Sequence, residues 1–230
     1  MSIDPLQGLL FINKPVGIPS FKVVKYVRSL SHVKRVGFAG TLDPFASGLL
    51  VVAIGRSFTK TLDEFLALTK TYRVIMAIGI NTDTYDAYGS ITKITPHTPN
   101  QSQIETTLEQ FLGNQIQTSP IYSAKKKEGK RLYSLARKGI EVELPTQEID
   151  IHAITLLRTH FTQKTPLIEF EVICSKGTYI RSLVHDIGLK LQTGAYTKDL
   201  CRTKIGNYDI ENSIHLHQLN KHTLEMNLKK

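Results

Sequence analysis

The sequence predicts an α+β fold with a mixed, largely antiparallel central sheet and flanking helices and loops. Hydrophobic residues make up 41% of the 230 residues, which is enough for one sizeable core or two small ones. Apolar residues recur with helical spacing in some segments and with strand-like spacing in others. These segments lack the regular strand–helix alternation of a parallel sheet, so a mixed or antiparallel sheet is expected.

Each predicted element follows from local spacing and from capping or turn residues. Strands are predicted over residues 8–13, 49–54, 72–80, 148–159 and 167–174. Helices are predicted from Ser20 onward and over residues 99–112, 131–138 and 178–191, with Ser20 and Thr178 as N-caps. Residues 33–47 contain two glycines and a proline, which predicts a loop, and residues 81–89 predict a polar turn. Residues 211–230 predict a short terminal helix.

The charge balance indicates a polyanionic partner. Lys and Arg number 29 against 20 Asp and Glu, giving a net charge of +9. Residues 1–60 hold 8 basic and 2 acidic side chains. A second basic cluster at residues 125–131 is interpreted either as a phosphate-contacting loop or as a solvated surface loop. Such an excess most often accompanies nucleic-acid binding.

The sequence contains no motif typical of several classes of function. The phosphate-binding glycine patterns of dinucleotide and NTP sites do not occur, nor do the zinc motifs of metalloproteases and deaminases. No apolar run is long enough to span a bilayer, and the N-terminus lacks the features of a secretory signal. Cys174 and Cys201 are too far apart for a CxxC site, which favours buried thiols in a reducing compartment. Asp83 and Asp86 are interpreted as turn residues rather than as ligands of a hard cation.

Residues 34–48 form the densest feature, with Asp43 between glycine-rich and apolar flanks. Because Asp43 precedes Pro44, its backbone is expected to be extended. A carboxylate held in such a loop suits a nucleophile or a general base. A plain turn aspartate is the alternative from the residues alone.

This segment, KRVGFAGTLDPFASGLLVVAIGRSFTK, resembles the catalytic motif of the bacterial tRNA pseudouridine synthase B family. Other segments resemble the remaining motifs of that family, in order: GLLFINKPVGIPSF (residues 8–21), KTY and GINTDTYDAYG (70–89), PIYSAK and YSLARKG (120–139), CSKGTYIRSL (174–183), and GA with LCRT (194–203). The ordered motifs identify the chain as a member of that family. The resemblance implies the pseudouridine synthase catalytic fold and isomerisation of uridine 55 in the T-loop of tRNA.

The resemblance also assigns the catalytic residues. It makes Asp43 the catalytic aspartate, which either attacks the ribose C1′ or removes a proton from C2′. Arg181 would pair with this aspartate and keep it ionised. Tyr72 would stack on the uracil and offer an oxygen near C5. The reaction is an isomerisation, so no cofactor and no metal are expected.

Four further residues are expected to bind substrate or support the site. Lys14 would support the site or contact phosphate, Leu200 would close the pocket against the base, and Lys125 belongs to the basic cluster. Phe38 stands where the family has a histidine that assists base flipping. Its ring is expected to fill the vacated stack without hydrogen bonding to the RNA.

The same resemblance sets the expected organisation. Residues 1–209 would form the catalytic domain and residues 210–230 a short tail, without a separate C-terminal RNA-binding domain. The partner would be the tRNA T-arm, and the protein would be a cytoplasmic monomer that associates with no membrane. His185 is interpreted as a surface histidine of its helix.

Three alternatives stay open. The first is a non-enzymatic RNA-binding protein or tRNA chaperone, and the second is a metal-dependent hydrolase that uses Asp83 and Asp86. The third is a synthase of the same family that acts on other RNAs, for example with a guide RNA and partner proteins.

Overall fold

The structure is a computed structural model that describes residues 6–95, 97–122, 126–127, 130–131, 143–161 and 165–230. The predicted fold class is confirmed, because helices and a large, mostly antiparallel sheet form the fold. Parallel pairing is present between β1 and β14 and between β3 and β12, whose ranges are given below, so the sheet is mixed.

The described strands are β1 (Gly8–Lys14), β2 (Val36–Ala39), β3 (Ser47–Ile54), β4 (Lys70–Ile78), β5 (Ile80–Thr82), β6 (Ile91–Ile94), β7 (Gly113–Thr118), β8 (Lys126–Lys127), β9 (Lys130–Arg131), β10 (Thr146–His160), β11 (Leu167–Cys174), β12 (Ala195–Ile205), β13 (Tyr208–Asp209) and β14 (Ile214–His215). The described helices are α1 (Ser20–Ser31), α2 (Arg56–Thr59), α3 (Leu62–Ala67), α4 (Gln101–Glu109), α5 (Ile180–Lys190) and α6 (Lys221–Asn227). Among them, none is long and apolar enough to cross a membrane.

The chain folds as two compact units. The first unit contains Met1–Arg73 and Leu200–Lys230, and the second contains Val74–Asp199. The predicted division at residue 209 is a statement about functional domains and stays a prediction.

Strand β3 is the centre of the first unit. Strand β1 runs antiparallel along one edge of β3, from Gly8 opposite Ile54 to Lys14 opposite Gly48. The other edge of β3 pairs with β2 along its second half and with β12 at its first two residues. Both edges of β3 are therefore hydrogen-bonded within this unit.

Both faces of β3 are also buried, which explains its unbroken apolar run. Leu50, Val52 and Ile54 belong to a core cluster with the apolar face of α1. The alternate residues Leu49, Val51 and Ala53 belong to a second cluster with α3. A strand that is covered on both faces needs apolar residues at every position rather than at alternate ones.

Two predictions for the first unit are wrong in part. Strand β2 lies inside the predicted loop, because Val36 and Phe38 pack against the core cluster below α1. Ser20 begins α1, as expected, but its side chain does not cap the helix. Its hydroxyl instead exchanges two hydrogen bonds with Leu42, one to the carbonyl and one from the amide, both 2.9 Å long.

The second unit contains a four-strand order β4-β11-β10-β7. Strand β10 pairs antiparallel with both β11 and β7. Helix α4 is shorter than predicted and begins with a capping box between Asn100 and Gln103. Thr178 does not cap α5, since its hydroxyl donates to the Ser175 carbonyl. The predicted helix at residues 131–138 lies outside the described residues except for Arg131, which ends β9.

The segment after Leu200 completes the first unit. Instead of one terminal helix, it contains β13, two 3₁₀ turns, β14 and α6. Leu216, Leu219 and Leu224 join the core cluster below α1. These residues therefore contribute to the core of the first unit.

Gly48 is expected to be the glycine that this unit tolerates least. A Cβ at Gly48 would lie 2.3 Å from the Arg202 carbonyl oxygen, and its φ is +111°. We expect Gly48→Ala to lower the free energy of unfolding by about 3 kcal/mol or more, because β12 has to move away. Chemical denaturation measures this loss.

Gly17→Ala is the matched control. Its φ of +86° is equally unusual, but its Cβ would meet no described atom within 4 Å beyond its chain neighbours. Its loss should be about 1–2 kcal/mol from backbone strain alone. Equal losses at the two positions would contradict the close contact between β3 and β12.

Candidate functional site

Asp43 lies between β2 and β3, on a segment with several buried apolar side chains. The carboxylate residue itself is half-buried, while Leu42, Phe45 and Ala46 are buried. The Ala46 amide donates to the Asp43 carbonyl at 3.1 Å, which closes a turn directly after the carboxylate. The apolar flanks anchor the segment in the core and leave the Asp43 side chain at its boundary.

Hydrogen bonds to the chain before α1 fix this segment from one side. Ser20 contacts both backbone polar groups of Leu42, as described above. The Gly17 amide donates to the Pro44 carbonyl at 2.7 Å. The residues on either side of Asp43 are therefore both bonded to residues 17–20.

Arg202 also holds the same segment in place, through two hydrogen bonds from its guanidinium. It is 1% exposed, its Nε donates to the Leu49 carbonyl and its Nη2 donates to the Gly40 carbonyl, both at 2.8 Å. Gly40 precedes Asp43 and Leu49 follows it. One buried guanidinium thus connects the two ends of the Asp43 segment.

Lys14 is a second buried cation of this unit. Its Nζ donates to the carbonyls of Pro15 and Ile18, each at 2.8 Å. Burial lowers the pKa of the Lys14 ammonium to about 8, whereas Asp43 acts to raise it and Arg202 acts to lower it. Lys14 and Asp43, which the sequence assigned to one site, are therefore electrostatically coupled in the structure.

Tyr72 and Leu200 are both buried residues of the first unit. Tyr72 lies near the start of β4, where the Lys70 ammonium donates to carbonyls at the end of α3. Leu200 lies on β12, and its carbonyl accepts a 3.4 Å hydrogen bond from the Ser47 hydroxyl at the start of β3. Both residues are thus attached to strands that are fixed by side-chain hydrogen bonds.

Arg181 lies in the second unit, in the first turn of α5, and is buried. Its Nη1 donates to the Thr84 carbonyl and its Nη2 to the Tyr122 carbonyl, each at 2.9 Å. Its Nη1 also lies 3.5 Å from a carboxylate oxygen of Asp86. These contacts fix the guanidinium on one side of its helix.

The start of α5 is itself attached to β7. The Gln117 side chain accepts from the Tyr179 amide at 2.8 Å and donates to the Tyr179 carbonyl at 3.0 Å. The Ser182 hydroxyl donates to the Thr118 carbonyl at 2.9 Å. Arg181 therefore projects from a helix end whose position is fixed by three side-chain hydrogen bonds.

Asp83 and Asp86 have the contacts expected of turn residues. Asp86 accepts from the Thr84 hydroxyl at 2.7 Å and from the Tyr88 amide at 2.9 Å. Asp83 accepts from the Ser90 amide at 2.8 Å. Within the described ranges, no cluster of three or more His, Cys, Asp or Glu residues could hold a metal ion. The geometry favours the turn interpretation over a cation site.

His185 differs from the surface histidine that the sequence suggests. Its ring stacks on Tyr85 with 3.9 Å between centroids and 12° between planes. Its buried Nδ1 has no hydrogen-bond partner in the part of the chain that is described, and burial lowers the His185 pKa. Burial also raises the pKa of the neighbouring Asp186 to about 6.

Phe38 and Lys125 complete the predicted set. Phe38 is half-buried and packs against the core cluster below α1. Its expected role in base flipping stays a prediction. Lys125 lies outside the described residues, so its expected role is also untested.

The sequence interpretation missed the supporting residues of the site. Ser20 was assigned to a helix cap, and Arg202 was noted only as part of a motif. No strand is predicted around Arg202, so the sequence contains no signal that this arginine is buried. The stack of Tyr85 on His185 had no signal, since the two residues are far apart in sequence.

Two family models together match most of the chain. The model described as TruB family pseudouridylate synthase, N-terminal domain, matches residues 28–180. The model described as tRNA pseudouridylate synthase B C-terminal domain matches residues 181–229.

Curated relatives match over nearly the whole chain. A protein of Clostridium tetani named tRNA pseudouridine synthase B is 43% identical over 96% of this chain and 75% of its own length. A protein of Protochlamydia amoebophila with the same name is 42% identical over 97% of this chain and 84% of its own length.

Solved structures show the same fold. A chain of a Cbf5-Nop10-Gar1 complex superimposes with a TM-score of 0.70 at 26% identity and covers 94% of this chain. A chain of an H/ACA RNP bound to a substrate RNA that contains 2′-deoxyuridine gives a TM-score of 0.68 at 25% identity. This chain spans about half the length of those two chains, 54% and 53%.

Lys14→Met tests the buried ammonium. The change removes the ammonium that makes two part-buried hydrogen bonds, so we expect a loss of about 2 kcal/mol in unfolding free energy near pH 7. The folded pKa of about 8 lies below the ordinary value of 10.5, so folding releases a proton between them and wild-type stability rises with pH there. The gap between wild type and variant should therefore widen towards about pH 10.

Chemical denaturation over this pH range measures the gap, and Lys34→Met, at an exposed lysine, is the control. A gap for Lys14→Met that stays constant with pH would contradict the lowered pKa.

Asp186→Asn tests the buried carboxyl. The folded pKa of about 6 lies above the ordinary 3.8, so the stability contributed by Asp186 falls as pH rises through that window. The asparagine stays neutral, so the variant should exceed wild type by about 1–2 kcal/mol near pH 7 and lose this advantage near pH 4. Thermal melts of both proteins check this, beside Glu225→Gln at an exposed carboxylate of α6. An advantage that is independent of pH would argue against the raised pKa.

Proposed function

This chain belongs to the TruB family of pseudouridylate synthases, and on that basis we propose that it converts a uridine of tRNA to pseudouridine. The proposal rests on one observation. Relatives named tRNA pseudouridine synthase B align with 96–97% of the chain at 42–43% identity. The motif resemblance narrows the target to uridine 55 in the T-loop. The Asp43 segment, fixed on both sides by buried hydrogen bonds, supports a catalytic rather than a purely binding role.

The reaction is an exchange of one bond for another. The N1–C1′ glycosidic bond breaks, the uracil rotates, and a C5–C1′ bond forms. The proton on C5 then leaves and N1 takes up a proton, so no electrons enter or leave. Asp43 either attacks C1′ or removes the C2′ proton, and the resemblance is compatible with both routes.

We assign the supporting catalytic roles to Tyr72 and Arg181, as the resemblance implies. Tyr72 offers a ring to the uracil and an oxygen near C5. The Arg181 guanidinium is oriented by two carbonyls and by Asp86. An arginine fixed in this manner supplies positive charge without reorganising during the reaction.

Four residues are assigned to substrate binding and site support. Lys14 supports the Asp43 segment through its coupling to the carboxylate. Leu200 closes the base pocket, Phe38 substitutes for the stack that the flipped base leaves, and Lys125 contacts phosphate. The T-arm is the proposed substrate region, and the enzyme is proposed to act as a cytoplasmic monomer without a cofactor.

The alternative functions have less support than the proposed one. A chaperone would not need the hydrogen bonds that orient Asp43. A guide-dependent synthase would agree with the RNP structures, but those matches have 25–26% identity. The named relatives reach 42–43% and cover more of their own length.

Tritium release tests the proposal directly. Unmodified tRNA labelled with tritium at uridine C5 is incubated with wild type and with Asp43→Asn. We expect release from the wild type alone, because only C5 bond formation displaces that label. Asp43→Asn should be at least about 1,000-fold slower, since it removes the nucleophile or base.

The control is a tRNA with cytidine in place of the target uridine, which should release no label from that position. Melting curves of the two proteins establish that Asp43→Asn is folded. Tight tRNA binding by both proteins without release from either would contradict the enzyme and favour the chaperone.

A further inference from the structure

The outer face of α1 exposes an aromatic ring beside the Asp43 segment. Phe21 is 51% exposed and Val16 is 52% exposed. The opposite face of the helix is buried through Val23, Val24 and Val27. A single exposed apolar residue is ordinary on a protein surface, so the meaning of Phe21 depends on its surroundings.

Those surroundings are positively charged. The Lys25 ammonium lies 5.3 Å from the centroid of the Phe21 ring, and Lys22 is exposed next to it. In the sequence from residue 5 to residue 62, Asp43 is the only acidic side chain. The chain around α1 therefore carries an excess of positive charge, which attracts an anionic partner.

Phe21 also follows a residue that is hydrogen-bonded to the proposed catalytic segment. Ser20 is bonded to both backbone polar groups of Leu42, and the Gly17 amide is bonded to the Pro44 carbonyl. Phe21 and Asp43 are thus each one residue away from the contact between Ser20 and Leu42. A uridine that reaches Asp43 brings its neighbouring nucleotides close to Phe21.

We propose that the α1 face, formed by Val16, Phe21, Lys22 and Lys25, binds an RNA nucleotide that flanks the target uridine. The flanking base stacks on the Phe21 ring above Val16, and its phosphates contact Lys22 and Lys25. Every base has a flat π face, so stacking on an exposed ring suits a nucleotide that must leave its helical stack. The proposal rests on the proposed function, because that function places RNA at Asp43.

Phe21 and Phe38 differ in how much of each residue is exposed. Phe38 contacts the core cluster below α1 with part of its ring and is half-buried. Phe21 has no such place in the two described core clusters. The more exposed of the two rings is therefore the better platform for an incoming base.

The test measures binding of unmodified tRNA over a series of salt concentrations. Phe21→Leu keeps an apolar side chain but removes the π face, and should weaken binding roughly tenfold. Phe21→Tyr keeps the ring and should bind within about twofold of wild type. Lys25→Gln should reduce the slope of log affinity against log salt by roughly 0.7–0.9, the value of one phosphate contact.

Matched controls lie at the end of α5, in the second unit. Leu189→Ala removes an exposed apolar side chain, and Lys190→Gln removes an exposed charge. Neither should change tRNA affinity by as much as its counterpart. Val16→Ser is a second variant of the α1 face, used if Phe21→Leu is poorly folded, and it should also weaken binding.

The proposal would be overturned if Phe21→Leu kept the wild-type affinity for tRNA and Lys25→Gln kept the wild-type salt slope. The α1 face would then be assigned to a protein partner. Equal effects from Lys190→Gln would also overturn it, since they would show general charge attraction only. Tritium release by wild type is read separately. Phe21-dependent binding without release would refute the proposed function and leave the RNA-binding face standing.

Discussion

The buried guanidinium of Arg202 is the interaction on which the proposed catalytic segment depends. Its two hydrogen bonds connect the carbonyls of Gly40 and Leu49, on either side of Asp43. A buried cation is costly unless its donors are paired, so these bonds oppose any displacement of the segment. Gly48 lies opposite Arg202 in the sheet because only a residue without a side chain allows that strand to approach.

Lys14 is a second buried cation of the first unit, and it interacts electrostatically with both Asp43 and Arg202. Burial disfavours its positive charge, and Arg202 adds to this effect, while Asp43 offsets part of it. Lys14 and the Asp43 carboxylate therefore belong to one electrostatic environment, which groups of the first unit provide.

Much of the architecture was predictable, and the exceptions have physical causes. The strand at residues 49–54 and the helix that carries Arg181 were evident, because apolar spacing reports burial directly. Strand β2 was missed because glycines suggested a loop, although pairing with β3 decides its conformation. Ser20 was misassigned because a serine at a helix start can bond either to its own helix or to a distant carbonyl. Motif resemblance found Asp43 and Arg181, whereas the residues that orient them are visible only in three dimensions.

The first unit is assembled from two separated stretches of sequence, and this has a consequence for the order of folding during synthesis. The second unit is one continuous segment, so it can fold as it leaves the ribosome. The first unit has to wait for Leu200–Lys230, which brings Arg202 and the leucines that complete its core. A nascent chain therefore exposes its Asp43 segment without these anchors until residues 200–230 have been synthesised.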